Sequence, residues 1–126
     1  MSIQPITQGS KYSESTSFEE RKKRSASLLL KYTDKYPVIL EKSKKDKVLP
    51  LMDRSKLLVS YDMTVATILQ LLKVNLKIDE HTAIYIIASE HNAMLSGSQS
   101  ISYIYDTYKN ADGFLYLEYC AENVFG

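Results

Sequence analysis

Helical spacing and strand-like alternation take turns along this chain, and both are missing only at its start. Met1 to Thr16, with Gln4-Pro5, Gly9-Ser10 and scattered serines and threonines, buries little apolar surface and reads as flexible or weakly helical. Ser17-Phe18-Glu19-Glu20 is a capping box: the Ser17 hydroxyl accepts a free backbone N–H and Glu20 reaches back, which predicts a helix to about Tyr32. In that helix Leu28 and Leu29 turn toward the body while Arg21, Lys22, Lys23 and Arg24 lie on a solvated face. Whether that basic run is plain soluble surface or a docking surface is open at this stage.

Lys35 to Lys42 is an apolar, partly β-branched run and predicts a strand. A lysine-rich turn, Ser43 to Lys47, and a second apolar run, Arg54 to Ser60, make an antiparallel hairpin with an extended loop. Asp62 or Thr64 then caps a helix whose apolar positions Val65, Ile68, Leu69, Leu72 and Leu76 follow three-to-four spacing. Ala83 to Ala88 is apolar without alternation, the pattern of a strand covered on both faces, and is the candidate for the centre of the sheet. Glu90-His91-Asn92 reads as a turn, and Ser96-Gly97-Ser98 precedes a helix with Ile101, Ile104, Tyr105 and Tyr108 on one side. Asn110 to Gly113 closes it, and the alternation through Phe114 and Tyr116 gives a last strand that runs into a short polar tail ending at Gly126.

A hairpin, a crossing helix and two further strands, preceded by helical material, predict an α+β fold of the ubiquitin-like β-grasp kind. Its four-stranded mixed sheet wraps one principal helix, and the last strand lies centrally beside the first. The expected divisions are a flexible or weakly helical segment 1–16, a domain 17–120 and a flexible tail 121–126.

With 126 residues, 44% of them hydrophobic, the chain has material for one packed domain. The net charge of +1, from 16 basic and 15 acidic residues, gives no reason to expect nucleic acid as a partner. No apolar run approaches the roughly 20 residues of a membrane span, and the N-terminus lacks a signal-peptide core, so the cytosol is the expected compartment. Cys120 is the single cysteine, so no internal disulfide and no cysteine metal cluster is expected; near a strand end it reads as a buried, inert thiol. His81 and His91 sit in polar turns. With no triad, paired metal ligands or phosphate loop in the sequence, the expectation is a protein that is not an enzyme and needs no metal or cofactor.

A glycine carboxylate on a polar tail is the least hindered acyl group a chain can offer to an adenylating enzyme, a thiol or an amine. Asp112-Gly113-Phe114-Leu115-Tyr116, then Tyr119, then Glu122-Asn123-Val124-Phe125-Gly126 resembles the ending of the autophagy ubiquitin-like modifiers, the GABA-receptor-associated-protein and microtubule-associated light-chain family. Tyr36-Pro37-Val38-Ile39 with Glu41-Lys42, Asp62-Met63-Thr64-Val65, and Ile104-Tyr105 with Tyr108-Lys109 extend the resemblance over about residues 12 to 126, with apparent insertions near residues 43–50 and 91–97.

That resemblance implies a modifier whose Gly126 is joined to phosphatidylethanolamine by activating and conjugating enzymes, with Phe125 read by those enzymes and by a deconjugating cysteine protease. It implies residence in the cytoplasm and, once lipidated, on autophagosomal or other intracellular membranes. It also implies a groove for aromatic-x-x-aliphatic peptides of cargo receptors, which add as a strand beside residues 56–59. The aromatic pocket would use Leu28, Pro37, Ile39, Lys56, Leu58 and Phe114, and the aliphatic pocket Leu57, Val59, Met63, Ile68 and Leu71.

The chain departs from the family pattern at Leu57 and Ile68, where aromatics are usual, at Ser60 for proline, at Asn75 for arginine and at Arg24 for an acid. These changes mark a divergent member with an altered groove rim. Arg21 to Arg24 and Lys44-Lys45 would each contribute roughly 1 kcal/mol at an anionic membrane surface if they face it together. Tyr85 and Ile87 occupy positions linked in the family to membrane contact, and burial in a strand accounts for them equally. A noncovalent ubiquitin-fold binding module and a modifier of proteins are the alternative functions. A monomer is the expected state.

Overall fold

The computed structural model describes residues 12–121; the segment 1–11 and the tail from 122 onward, with Phe125 and Gly126, lie outside the described residues. The elements are α1 (Tyr12–Ser15), α2 (Phe18–Lys31), β1 (Lys35–Lys42), β2 (Lys56–Ser60), α3 (Val65–Leu76), β3 (Ile84–Ala88), β4 (Ala93–Met94), α4 (Ile101–Tyr108) and β5 (Leu115–Ala121). The helix starts follow the capping logic of the sequence. Ser17 accepts from the Glu20 amide, Thr64 from that of Thr67 and Ser100 from that of Tyr103. Lys77 ends α3 in the left-handed region at φ 56, with its amide bonded back to the carbonyls of Lys73 and Val74.

The sheet order is β2-β1-β5-β3-β4. β1 runs parallel to β5 and antiparallel to β2, and β3 is antiparallel to both β5 and β4. This is the β-grasp arrangement with the last strand beside the first, and it corrects two expectations. The sheet has five strands and not four, because Ala93–Met94 folds back on Ile87–Ala88 after a turn at Asn92, whose φ is 50. A two-residue strand is too short to leave a periodic signal. The central strand is β5, as the β-grasp reading has it, and not β3, as the apolar run suggests: an unbroken apolar run reports that both faces are covered, not where the strand lies in the sheet.

Alternation sorts the side chains into two layers. Val38, Leu40, Leu115, Leu117, Tyr119 and Ala121 join Val65, Ile68 and Leu72 of α3 and Ile101, Ile104 and Tyr105 of α4 in the main core. Ile39, Phe114 and Tyr116 face the other way and pack with Tyr12 of α1 and Leu28 of α2. The sheet is therefore sandwiched between the N-terminal helices and the two later ones.

A buried polar cluster fastens α2 to the turn before β5. Asp112, fully buried, accepts from Arg21 Nη1 at 2.8 Å, from the Tyr116 hydroxyl at 2.5 Å and from the Phe114 amide at 2.8 Å. The Ser25 hydroxyl donates to the Asp112 carbonyl at 2.5 Å. Arg21 thus leaves the solvated basic face on which the sequence reading put it, while Lys22, Lys23 and Arg24 stay exposed. Burial, with the Asp112 hydrogen bond added, raises the Tyr116 phenol above its ordinary range, and its hydrogen bond to Arg21 raises the guanidinium.

Gly113 sits in this turn at φ 93, and a Cβ there would lie 2.2 Å from Ser25 Oγ. Gly113→Ala combines a strained backbone with overpacking and is expected to cost about 2 kcal/mol, read as a lowered midpoint in urea with unchanged slope.

Candidate functional site

β2 lies at the edge of the sheet, paired through the register Pro37↔Leu58, Val38↔Leu57 and Ile39↔Lys56 with β1 on one side only. Such an edge presents unpaired backbone donors and acceptors to an incoming strand. The same register decides where its side chains go. Lys56 and Leu58, with Pro37 and Ile39, turn to the α2 face; Leu57 and Val59 turn to the α3 face. Residues three apart on an added strand point to opposite faces, so an aromatic-x-x-aliphatic peptide would send one side chain to each side of β2.

On the α2 face the structure gathers Leu28, Ile39 and Phe114 into one cluster, beside the buried Pro37 and the half-exposed Leu58. At its centre is Tyr12, a residue that sequence reasoning did not single out. Its ring meets Phe114 edge-on at 5.3 Å, Lys56 Nζ stands over it at 4.9 Å, and its amide donates to Glu41 Oε2 at 3.2 Å. The signal was weak, a lone aromatic in a polar segment. Only the fold shows that its ring lies among the residues expected to form the aromatic pocket.

On the α3 face Val59 and Ile68 are buried and Leu57 and Met63 are partly buried against the main core. Leu71 stands apart from them, 54% exposed on the outer side of α3. The Met63 carbonyl accepts the Ile101 amide at 2.8 Å, and Val65 and Ala66 donate to the carbonyls of Gln99 and Gly97, so the start of α3 is pinned to the segment that leads into α4. An open cleft of about 430 Å³ continues from Leu57 between the loop at Met52 and Arg54 and the end of α3 at Asn75 and Leu76.

The end of β5, from which the tail departs, is held by the loop after β1. Asp46, 1% exposed, accepts from the Ala121 amide at 2.6 Å with one oxygen and from Val48 and Leu49 at 2.7 and 2.8 Å with the other. Burial opposes its charge, but the three N–H bonds outweigh that and hold its carboxyl below the usual range. The Ser43 amide donates to the Tyr119 carbonyl, and the Tyr119 hydroxyl reaches the Pro50 carbonyl at 2.7 Å; burial pushes that phenol up to about 12. The parallel ladder of β1 and β5 is in this way carried one step further by a side-chain carboxylate. Burial also raises the Cys120 thiol, which fits an inert cysteine.

Among the described residues no group of side chains has the arrangement of a metal site, and no helix is long and apolar enough to cross a membrane. The family model described as "Autophagy protein Atg8 ubiquitin like" matches residues 20–126. Autophagy-related protein 8e of Arabidopsis thaliana is 35% identical over 121 residues, covering 96% of this chain and 97% of the relative. Autophagy-related protein 8h of the same plant is 38% identical over 111 residues, covering 87% and 90%. The crystal structure of Trypanosoma brucei ATG8 superposes with a TM-score of 0.82 at 32% identity, covering 90% of this chain and 95% of that one. With that fold, that strand edge and matches over nearly its whole length, the chain belongs to the Atg8 family of autophagy ubiquitin-like proteins, which are modifiers and not enzymes.

Proposed function

We propose that this chain is an autophagy modifier joined through Gly126 to phosphatidylethanolamine, and that once on the membrane it gathers cargo receptors through the edge of β2. The observation that carries the reading is the free edge of the sheet at β2, with apolar side chains set on each face of it. Backbone pairing to Lys56–Ser60 would supply affinity, and the two faces would select an aromatic and an aliphatic residue. The aromatic side chain would enter among Leu28, Pro37, Ile39, Lys56, Leu58 and Phe114. The aliphatic one would rest against Leu57, Val59, Met63 and Ile68, with Leu71 at the rim. The activating and conjugating enzymes and a deconjugating cysteine protease would meet the tail, with Phe125 beside the reacting glycine. The expected locations are the cytoplasm and, in the lipidated form, autophagosomal or other intracellular membranes. The domain of the same proposal is wider than the 17–120 read from the sequence, since Tyr12 packs against Phe114 and Ala121 ends β5.

The test is a conjugation assay with the family's activating and conjugating enzymes, ATP and vesicles containing phosphatidylethanolamine, followed by weighing the product. A gain of one lipid that Gly126→Ala abolishes is the expected result. A protein-sized gain would point to a modifier of proteins. No adduct, with the enzymes active on another family member, would leave a noncovalent binding module.

A further inference from the structure

The loop that clasps the root of the tail also has an outward side. Asp46 and Leu49 point in, at 1% and 7% exposure. What remains outside is Lys44, Lys45 and Lys47 with Pro50, and two large apolar side chains, Val48 at 63% and Leu51 at 45%. The only acid between Lys42 and Pro50 is thus withdrawn from the surface, spent on the amides of Val48, Leu49 and Ala121. Lys42 is withdrawn as well, its ammonium donating to the carbonyls of Ser43 and Asp46. Lys44 keeps one exposed pair with Glu14 at 3.3 Å, and Lys45 and Lys47 make no ion pair among the described residues. Basic side chains around exposed apolar ones, with the exposed acid of this loop, Asp53, lying past Leu51, have the chemistry of an interfacial membrane contact.

Position decides between a membrane and an acidic protein as the occupant. Asp46 holds the Ala121 amide at 2.6 Å, and Gly126 is the fifth residue after Ala121, a reach of at most about 17 Å. We infer that residues 44–51 are a membrane-facing tip, with Lys44, Lys45 and Lys47 on anionic headgroups and Val48 and Leu51 in the interfacial layer. The inference rests on the proposed attachment at Gly126, since a lipid joined there would bring the bilayer to this loop. The tip would then hold the domain in one orientation, so that attachment and groove presentation are linked through Asp46.

The chain has no tryptophan, so Val48→Trp introduces a single reporter. The full chain carrying it would be joined to vesicles in two ways, by the conjugating enzymes and by coupling a Gly126→Cys form to a maleimide lipid, using vesicles with and without phosphatidylserine. The expected result is an emission shift to the blue and quenching by brominated lipids on anionic vesicles. Val74→Trp, on the outer side of α3, should show neither. Before attachment, each Lys→Ala change at 44, 45 or 47 should lower partitioning to anionic vesicles about five-fold. An indole at position 48 that stays in water under both couplings overturns the inference. A normal enzymatic adduct with no shift overturns it while leaving the conjugation reading intact; a shift on chemical coupling with no enzymatic adduct supports the tip and removes the conjugation reading. Lysine variants that slow the enzymes while the indole stays in water assign the loop to an enzyme and overturn the membrane assignment.

Discussion

Asp112→Ala is expected to lower stability by about 3–5 kcal/mol, roughly the cost of breaking a buried ion pair by removing one partner. Four groups lose an acceptor or an anchor at once: Arg21, the Tyr116 hydroxyl and the Phe114 amide directly, and Ser25 through the turn it grips. Arg21, 11% exposed at its side chain, then lacks its carboxylate, and the phenol of Tyr116 keeps only Arg21. For a chain of this size the melting temperature should fall by about 10–15 °C. A double-mutant cycle of Arg21→Met with Asp112→Ala should give a coupling energy above about 1 kcal/mol. Because the cluster ties α2 to the start of β5, the loss should also loosen the α2 face of the groove. Protease cleavage within α2 at temperatures where the sheet still holds would be the sign of it.

Asp46→Asn should cost about 2–3 kcal/mol at neutral pH and change how stability responds to acid. An asparagine oxygen can still accept from Val48 and Leu49, but its amide then faces the Ala121 N–H, donor against donor. The sign of the pH effect follows from the direction of the shift. The folded-state pKa of Asp46 is depressed below its ordinary 3.8, so its contribution is complete above about pH 4 and is lost as pH falls through the folded value. Urea unfolding from pH 7 down to pH 2 should therefore show the gap between the two proteins narrowing below about pH 4. Amide exchange at Ala121 should be slow in the native chain and fast in Asp46→Asn. Equal acid dependence in the two proteins would show that the clasp contributes nothing.

Most of the architecture could be read from the chain because it rests on local chemistry. The Ser17 cap, the three-to-four spacing from Val65 to Leu76 and the alternation through Phe114 and Tyr116 each act within a few residues. β4 was missed because two residues leave no period, and β3 was placed at the centre because apolar content reports covering and not neighbours. The groove residues came from family resemblance. The structure adds the reason that they divide as they do: the register Pro37↔Leu58 and Val38↔Leu57 sends alternate side chains to α2 and α3. Tyr12, Arg21 and Asp46 were not legible as site residues. Each acts on a partner 29 or more positions away, Tyr12 on Glu41, Arg21 on Asp112 and Asp46 on Ala121, and spacing rules carry no information over such separations.

By itself the sequence determined the order of the helices and strands other than α1 and β4, the inertness expected of its lone buried cysteine, the family and the residues on which peptide capture and conjugation are proposed to depend. These follow from side-chain periodicity, capping and short motifs, which are properties of neighbours in the chain. Only the tertiary structure decided that β2 lies at an open edge, that Tyr12 stands in the aromatic cluster, that Arg21 is drawn inward to Asp112, and that a loop carboxylate holds the last strand. Those outcomes come from long-range pairing, in which burial makes an unmet hydrogen bond costly enough to pull a charged side chain out of solvent.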